Sequence, residues 1–255
     1  MSIFLGIVGA KGGVAKTTTA INLADSFRKF GRDVIVVDGN LSTPNLGLHL
    51  GVPTVPISLH DALKGKNDIT EALYLHPNGL KIVPAGISLK DWSHAKPEKL
   101  NKILPGLDGL ADIVIVDGSA GLGSESLAVI KAVDDLIVVT NPELPSVTDA
   151  LKTIKLAQQL GKNVRGAIIT RAGKDLDLSI SNIETLLEKP VLAVIPDDDA
   201  IRKSLVMKNS VIQTHPSSKS AIAYKKLAAD LIGVNYLEEQ DQGLFTRFLK
   251  KLGLR

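Results

Sequence analysis

Cysteine is absent from the 255 residues, which excludes a disulfide framework, a thiolate metal site and a cysteine nucleophile. That absence fits a reducing cytoplasm. Histidine is sparse: His49, His60, His76, His94 and His215 are scattered, with no pair at zinc-ligand spacing. They read as surface or loop histidines. Aromatic residues make up only 4%, and the one tryptophan, Trp92, reads as a residue packing a loop. No apolar run approaches the roughly 20 residues of a membrane-spanning helix. No basic residue precedes the apolar run at 3–8, so a buried strand is expected there and not a secretion signal. Excess charge is small too, at +3, which disfavours nucleic acid as a partner. Ser119 and Ser124 have no histidine in a triad arrangement, so a serine hydrolase is disfavoured.

What is present is a globular α/β pattern, with 44% hydrophobic and 22% charged residues. Short β-branched runs occupy residues 3–8, 34–37, 80–83, 113–116, 136–139, 164–169 and 191–195. Most are continuously apolar, as strands buried on both faces are. Between them, helices are expected over 17–30, 97–104, 124–133, 146–160, 179–187 and 217–231, several opened by Ser or Thr and two closed by Gly. The expected fold is a doubly wound α/β domain. Its mostly parallel sheet has seven or eight strands with helices on both faces, and ligand loops at the carboxyl ends of the strands. Residues 40–78 read as an irregular surface insertion, and the domain is expected to span 1–237.

The first strand leads into Gly9-Ala10-Lys11-Gly12-Gly13-Val14-Ala15-Lys16-Thr17-Thr18 and then a helix. Adjacent glycines allow a tight turn whose N–H groups face phosphate oxygens. The helix N-terminus adds partial positive charge. Lys16 is placed to reach the terminal phosphates and Thr17 to offer a hydroxyl to Mg²⁺. The strict G-x-x-x-x-G-K-[ST] pattern fails at Ala10 and Ala15. If position 15 needs positive φ, alanine costs about 1–2 kcal/mol there.

The surviving Lys-Gly-Gly-x-x-Lys-Thr-Thr resembles the deviant Walker A motif of the MinD/ParA family, marked by the extra Lys11. Asp38 followed by Asn45-Leu46-Gly47 is similar to the family's first switch. Asp117 followed by Ala120-Gly121-Leu122 is similar to its Walker B strand and second switch. Asn141-Pro142-Glu143 with Ser146 and Asp149, and Ile195-Pro196-Asp197, extend the resemblance along nearly the whole chain, closest to archaeal MinD-type members. The resemblance implies an ATPase that binds ATP/ADP and Mg²⁺ and pairs as a homodimer on ATP binding. Residues 11–18, Val14 and Ala15 among them, would bind nucleotide. Thr170, Arg171, Pro196 and Asp197 would stand on the adenine side. Lys11 would reach the partner's phosphates. Thr17, Asp38 and Asp117 would attend the metal.

Two positions depart from the family. Asn40 stands where a second switch carboxylate normally positions the attacking water. It cannot accept a proton at neutral pH, and losing such a base costs about 10²–10⁴-fold. Thr170 replaces an asparagine that reads adenine. Slow ATP hydrolysis is therefore expected, with a non-hydrolysing nucleotide scaffold and a ParA-like DNA partition ATPase as the alternatives. Asp197-Asp198-Asp199 reads as a helix opening and not a metal cluster.

Residues 238–255 form a polar linker and a basic-apolar tail. On a helical wheel Leu244, Phe245, Phe248, Leu249 and Leu252 share one face, and Arg247, Lys250 and Lys251 the other. This pattern suits ordering on an anionic membrane surface, each basic residue adding about 1 kcal/mol. The expected location is cytoplasmic and peripheral on the inner face of the cell membrane. Two tails on one dimer would bind far better than one. An unidentified protein partner, in a role such as cell-division placement, completes the expected picture.

Overall fold

The computed structural model describes residues 1–88, 95–173 and 177–236. The tail residues Leu244 to Leu252, and with them Trp92 and His94, lie outside the described residues. Eight strands form one sheet: β1 (Ile3–Val8), β2 (Val34–Gly39), β3 (Tyr74–Leu75), β4 (Lys81–Val83), β5 (Ile113–Gly118), β6 (Asp135–Thr140), β7 (Asn163–Ala172) and β8 (Val191–Pro196). Their order is β3-β4-β2-β5-β1-β6-β7-β8, and every pair is parallel except β3 with β4.

The apolar runs become central strands because both faces are covered. All six residues of β2 and of β5 are buried. Alternate side chains enter opposite cores: Ile35 and Val37 go to one, Val34 and Val36 to the other. The second core is closed by α1 (Lys16–Lys29), whose residues 16–27 are all buried between the sheet and the last described helix. Burying a side chain such as Leu23 or Phe27 there contributes about 1.5–3 kcal/mol.

Other helices are α2 (Leu46–His49), α3 (Leu59–Lys64), α4 (Leu100–Ile103), α5 (Ser124–Ala132), α6 (Leu144–Gln159), α7 (Ile180–Leu187), α8 (Asp199–Val206), α9 (Val211–Thr214) and α10 (Lys219–Ile232). Residues 40–78 are more ordered than the sequence suggests. They carry α2, α3, a 3₁₀ turn at Ile69–Ala72 and the antiparallel edge strand β3. Leu46, Leu50, Leu59, Leu63 and Ile69 are buried there, but each element is too short to show a period. The helix expected over 97–104 is broken into 3₁₀ turns around α4, with Pro97 and Pro105 at the starts of those turns. His60 and His76 are core residues and not surface ones, at 0% and 8% exposure. His76 Nε2 lies 2.8 Å from the Leu50 carbonyl, and the Gly86 N–H donates to His60 Nδ1.

β1 lies between β5 and β6, where the chain turns from one half of the sheet to the other. In doubly wound sheets, ligands bind at the carboxyl ends of the strands beside such a switch point. The register places Asp117 beside both Ile7 and Asp38.

Candidate nucleotide site

The loop after β1 approaches the sheet closely. A Cβ at Gly9 would stand 2.4 Å from the Val139 carbonyl oxygen, so only glycine fits. Gly13 turns the chain at φ 77°, and Ala15 enters α1 in the left-handed region at φ 67°, ψ 33°. The cost anticipated for alanine at position 15 is therefore incurred. Ala15 has no side chain to cap α1. The helix start keeps its partial positive charge facing a cavity of about 400 Å³. Gly12, Gly13, Lys16, Thr17 and Thr18 line one side of it; Asn40, Thr43 and Ala120 line the other.

The charged groups are layered below. Lys16 is buried, with Nζ donating to the Lys11 carbonyl at 3.3 Å. Burial pushes its ammonium pKa down, against the pull of Asp117. Thr17 Oγ1 donates to Asp117 Oδ2 at 2.5 Å, and Asp117 Oδ1 is buried with no partner. Burial raises the Asp117 carboxyl to about 7, opposed by the Thr17 hydrogen bond and the Lys16 charge. Asp38 is raised well above its ordinary value, first by burial and then by Asp117. Two buried carboxyls, a hydroxyl and an unpaired oxygen call for a cation. Among the described residues no cluster of three or more His, Cys, Asp or Glu forms a metal cage. The donor set suits Mg²⁺, which keeps waters and takes only one or two carboxylates beside phosphate.

The loop after β2 is tied by side chains. Asp38 accepts from the N–H groups of Asn40 at 3.2 Å, Asn45 at 3.1 Å and Leu46 at 3.0 Å. Asn40 Nδ2 donates to the Thr43 carbonyl at 2.5 Å, and its Oδ1 accepts from the Thr43 hydroxyl at 3.0 Å. Ser42 donates to Glu125 on α5, joining the loop after β2 to the segment after β5.

Lys11 stands apart from the cavity wall. Its ammonium donates to Glu143 Oε2 at 2.9 Å and Ser146 Oγ at 3.1 Å, at the start of α6. That contact pulls the Glu143 carboxyl below the usual range. Val14 is buried under the loop. Arg171, Pro196 and Asp197 line a second cavity, and Asp197 donates its N–H to the Ala172 carbonyl at 3.0 Å. Asp198 caps α8 by accepting from the Ala200 N–H at 2.9 Å, as its place before a helix suggests.

His49 and Leu205 also line the main cavity and were not legible in advance. One sits on a four-residue helix and the other is an ordinary apolar helix position. Neither carries a local signal. Burial and the nearby Lys208 lower the His49 pKa.

Residues 5–211 match the model of the CobQ/CobB/MinD/ParA nucleotide binding domain. The chain belongs to this family. An uncharacterized ATP-binding protein of Methanocaldococcus jannaschii is 40% identical over 256 residues, covering 99% of this chain and 97% of that protein. The cell division ATPase MinD of Pyrococcus furiosus has a similar structure, with TM-score 0.88 and 32% identity, covering 91% of this chain and 99% of that one. The septum site-determining protein MinD of Pyrococcus horikoshii, complexed with Mg-ADP, gives 0.87 and 33% with 91% and 96% coverage. The MinD/ParA resemblance of the motifs thus extends to the fold.

Proposed function

We propose that this chain is a MinD-like ATPase switch, which binds ATP with Mg²⁺, pairs with a second copy and docks reversibly on membrane to position another protein. The nucleotide part rests on one observation: an uncapped helix start faces a cavity with Lys16, and beneath it Thr17 meets Asp117, whose second oxygen is unpaired. The main-chain N–H groups of 12–18 hold phosphate oxygens. Lys16 neutralises charge that builds on the terminal phosphate. Thr17 and Asp117 would hold Mg²⁺, which when bound would shield and polarise the phosphates. Asp38 shapes the switch loop through three backbone hydrogen bonds. Lys11 must leave Glu143 and Ser146 to serve a partner's phosphates.

Membrane docking rests on the pattern of residues 244–252. Among the described residues no helix is long and apolar enough to cross a membrane. Calorimetry with MgATP tests the nucleotide reading: saturable uptake supports it, and no heat of binding ends it. Removing residues 243–255 should abolish sedimentation with anionic vesicles while leaving nucleotide uptake intact; unchanged sedimentation removes the membrane claim.

A second reading, a nucleotide scaffold with very slow turnover, is favoured by Asn40. Both ends of its amide are engaged by Thr43, and the described residues lining the main cavity include no carboxylate.

A further inference from the structure

Hydrolysis of a bound triphosphate needs a group that takes the attacking water's proton, and the carboxyls around the phosphate loop are already engaged. Both oxygens of Asp38 are held by main-chain amides, Oδ1 by Asn40 and Oδ2 by Asn45 and Leu46. Asp117 is fully buried and accepts from Thr17 beneath the loop, on the metal side. Glu143 holds Lys11. Asn40 carries no acidic oxygen, and Thr43 engages its amide at both ends.

A further polar cavity, of about 280 Å³, adjoins the phosphate cavity. Asn40, Thr43 and Ala120 line both spaces. Ser42, Ser119 and Ser124 line the rest of the second one, and Glu125 is the carboxylate among its described lining residues. The volume admits several waters, and hydroxyls that both donate and accept can hold them.

Glu125 lies in the first turn of α5, whose start at Gly123 has no side-chain cap. The open amide dipoles there favour a negative carboxylate. The residue is half-buried, and its Oε1 accepts from the Ser42 hydroxyl. That bond ties the carboxylate to the loop that carries Asn40 and leaves Oε2 for water.

We propose that Glu125 is the proton acceptor for ATP hydrolysis in this chain, reached through water in the adjoining cavity, in place of the carboxylate absent at position 40. The inference rests on the ATPase reading above and deepens it. The water oxygen bonds to the γ-phosphorus as the bond from that phosphorus to the β,γ-bridging oxygen breaks, and ADP leaves with the electron pair. The water's proton passes along one bridging water to Glu125 Oε2 and from there to solvent, giving ADP and phosphate.

The test measures MgATP turnover of the full chain with anionic vesicles, and MgATP affinity by calorimetry. It compares wild type, Glu125→Gln, Asn40→Asp and the double variant. Glutamine keeps an oxygen for Ser42 but takes no proton at neutral pH, so the tie between the loops survives. Glu125→Gln is expected to lower turnover about 10²-fold, with affinity within a few-fold of wild type. Where Asn40→Asp supplies another acceptor, the same change should cost at least about tenfold less. An equal loss in both backgrounds overturns the proposal, because Glu125 would then act by shaping the loops. A Glu125→Gln rate within a few-fold of wild type overturns it too, as does a wild type that binds MgATP without turnover. If MgATP does not bind, the nucleotide reading itself falls, and this inference with it.

Discussion

Two loops leave the sheet at the same height, one after β1 and one after β2, and they are built in opposite ways. The loop at 9–15 has small side chains, positive φ at Gly13 and Ala15, and an uncapped helix beyond it. It offers main chain to a ligand. The loop at 38–46 is held by side chains: Asp38 gathers three amides, Thr43 grips Asn40, and Ser42 reaches Glu125. The contrast separates holding an anion from arranging what stands beside it. Main-chain N–H groups at a helix start keep their geometry at no side-chain entropy cost. A side-chain network can rearrange one hydrogen bond at a time.

The largest expected effect breaks the first loop. Lys16→Ala should weaken MgATP by at least about 10²-fold, because a buried cation facing the phosphates is lost; calorimetry that leaves affinity within a few-fold would erase the distinction between the loops. Next, Asn40→Asp restores a proton acceptor to the second loop. Turnover with vesicles present should rise about 10²-fold with nucleotide affinity little changed. An unaltered rate would mean that position 40 does not limit hydrolysis.

A third effect lies between the loops, at the Asp38–Asp117 pair. In the nucleotide-free fold Asp117 keeps its proton up to about pH 7, whereas unfolded chain releases it near pH 4. The folded state then binds more protons across that window, so stability is greatest below it and falls as pH rises through it. The thermal midpoint without nucleotide should be lower at pH 8 than at pH 5.5, and Asp117→Asn should reduce the difference, leaving the part that burial of Asp38 contributes. A midpoint that climbs with pH in wild type, to the same degree as in the variant, contradicts the buried-acid picture. The smallest effect concerns Ala15. Glycine removes an αL cost of about 1–2 kcal/mol. It adds about 0.4–1 kcal/mol of unfolded-chain freedom. Ala15→Gly should therefore stabilise by about 0.5–1 kcal/mol in urea unfolding, sharpening the view that the first loop is strained by choice of residue.

Much of the fold was legible because its signals are local. Continuous apolar runs at 34–37 and 113–116 mark strands covered on both sides, and they form the buried β2 and β5. Lys-Gly-Gly-x-x-Lys-Thr-Thr marks a strand, turn and helix in one contiguous stretch. The region 40–78 was harder. Its helices of four and six residues span barely one turn, too little for a period to show. Asn40 was legible as a substitution but not as a side chain tied at both ends, since its partner Thr43 is positioned by the turn that Asp38 organises. Thr170 could be read only as one hydroxyl near a base; its acceptors lie 29 to 156 residues away.

Sequence alone determined the class of fold, the phosphate loop and the identity of the charged groups around it, because each depends on neighbours within a few residues. Tertiary structure decided which of those groups are spoken for. The register of β5 against β1 and β2 brings Asp117 beside Asp38 and under Thr17, and turns two ordinary carboxyls into buried acids. The parallel pairing of β7 with β6, next to β1, sends the Thr170 hydroxyl to Val14. Hydrogen bonds and desolvation act over a few ångströms of space, and only the folded sheet brings residues so distant along the chain within that range.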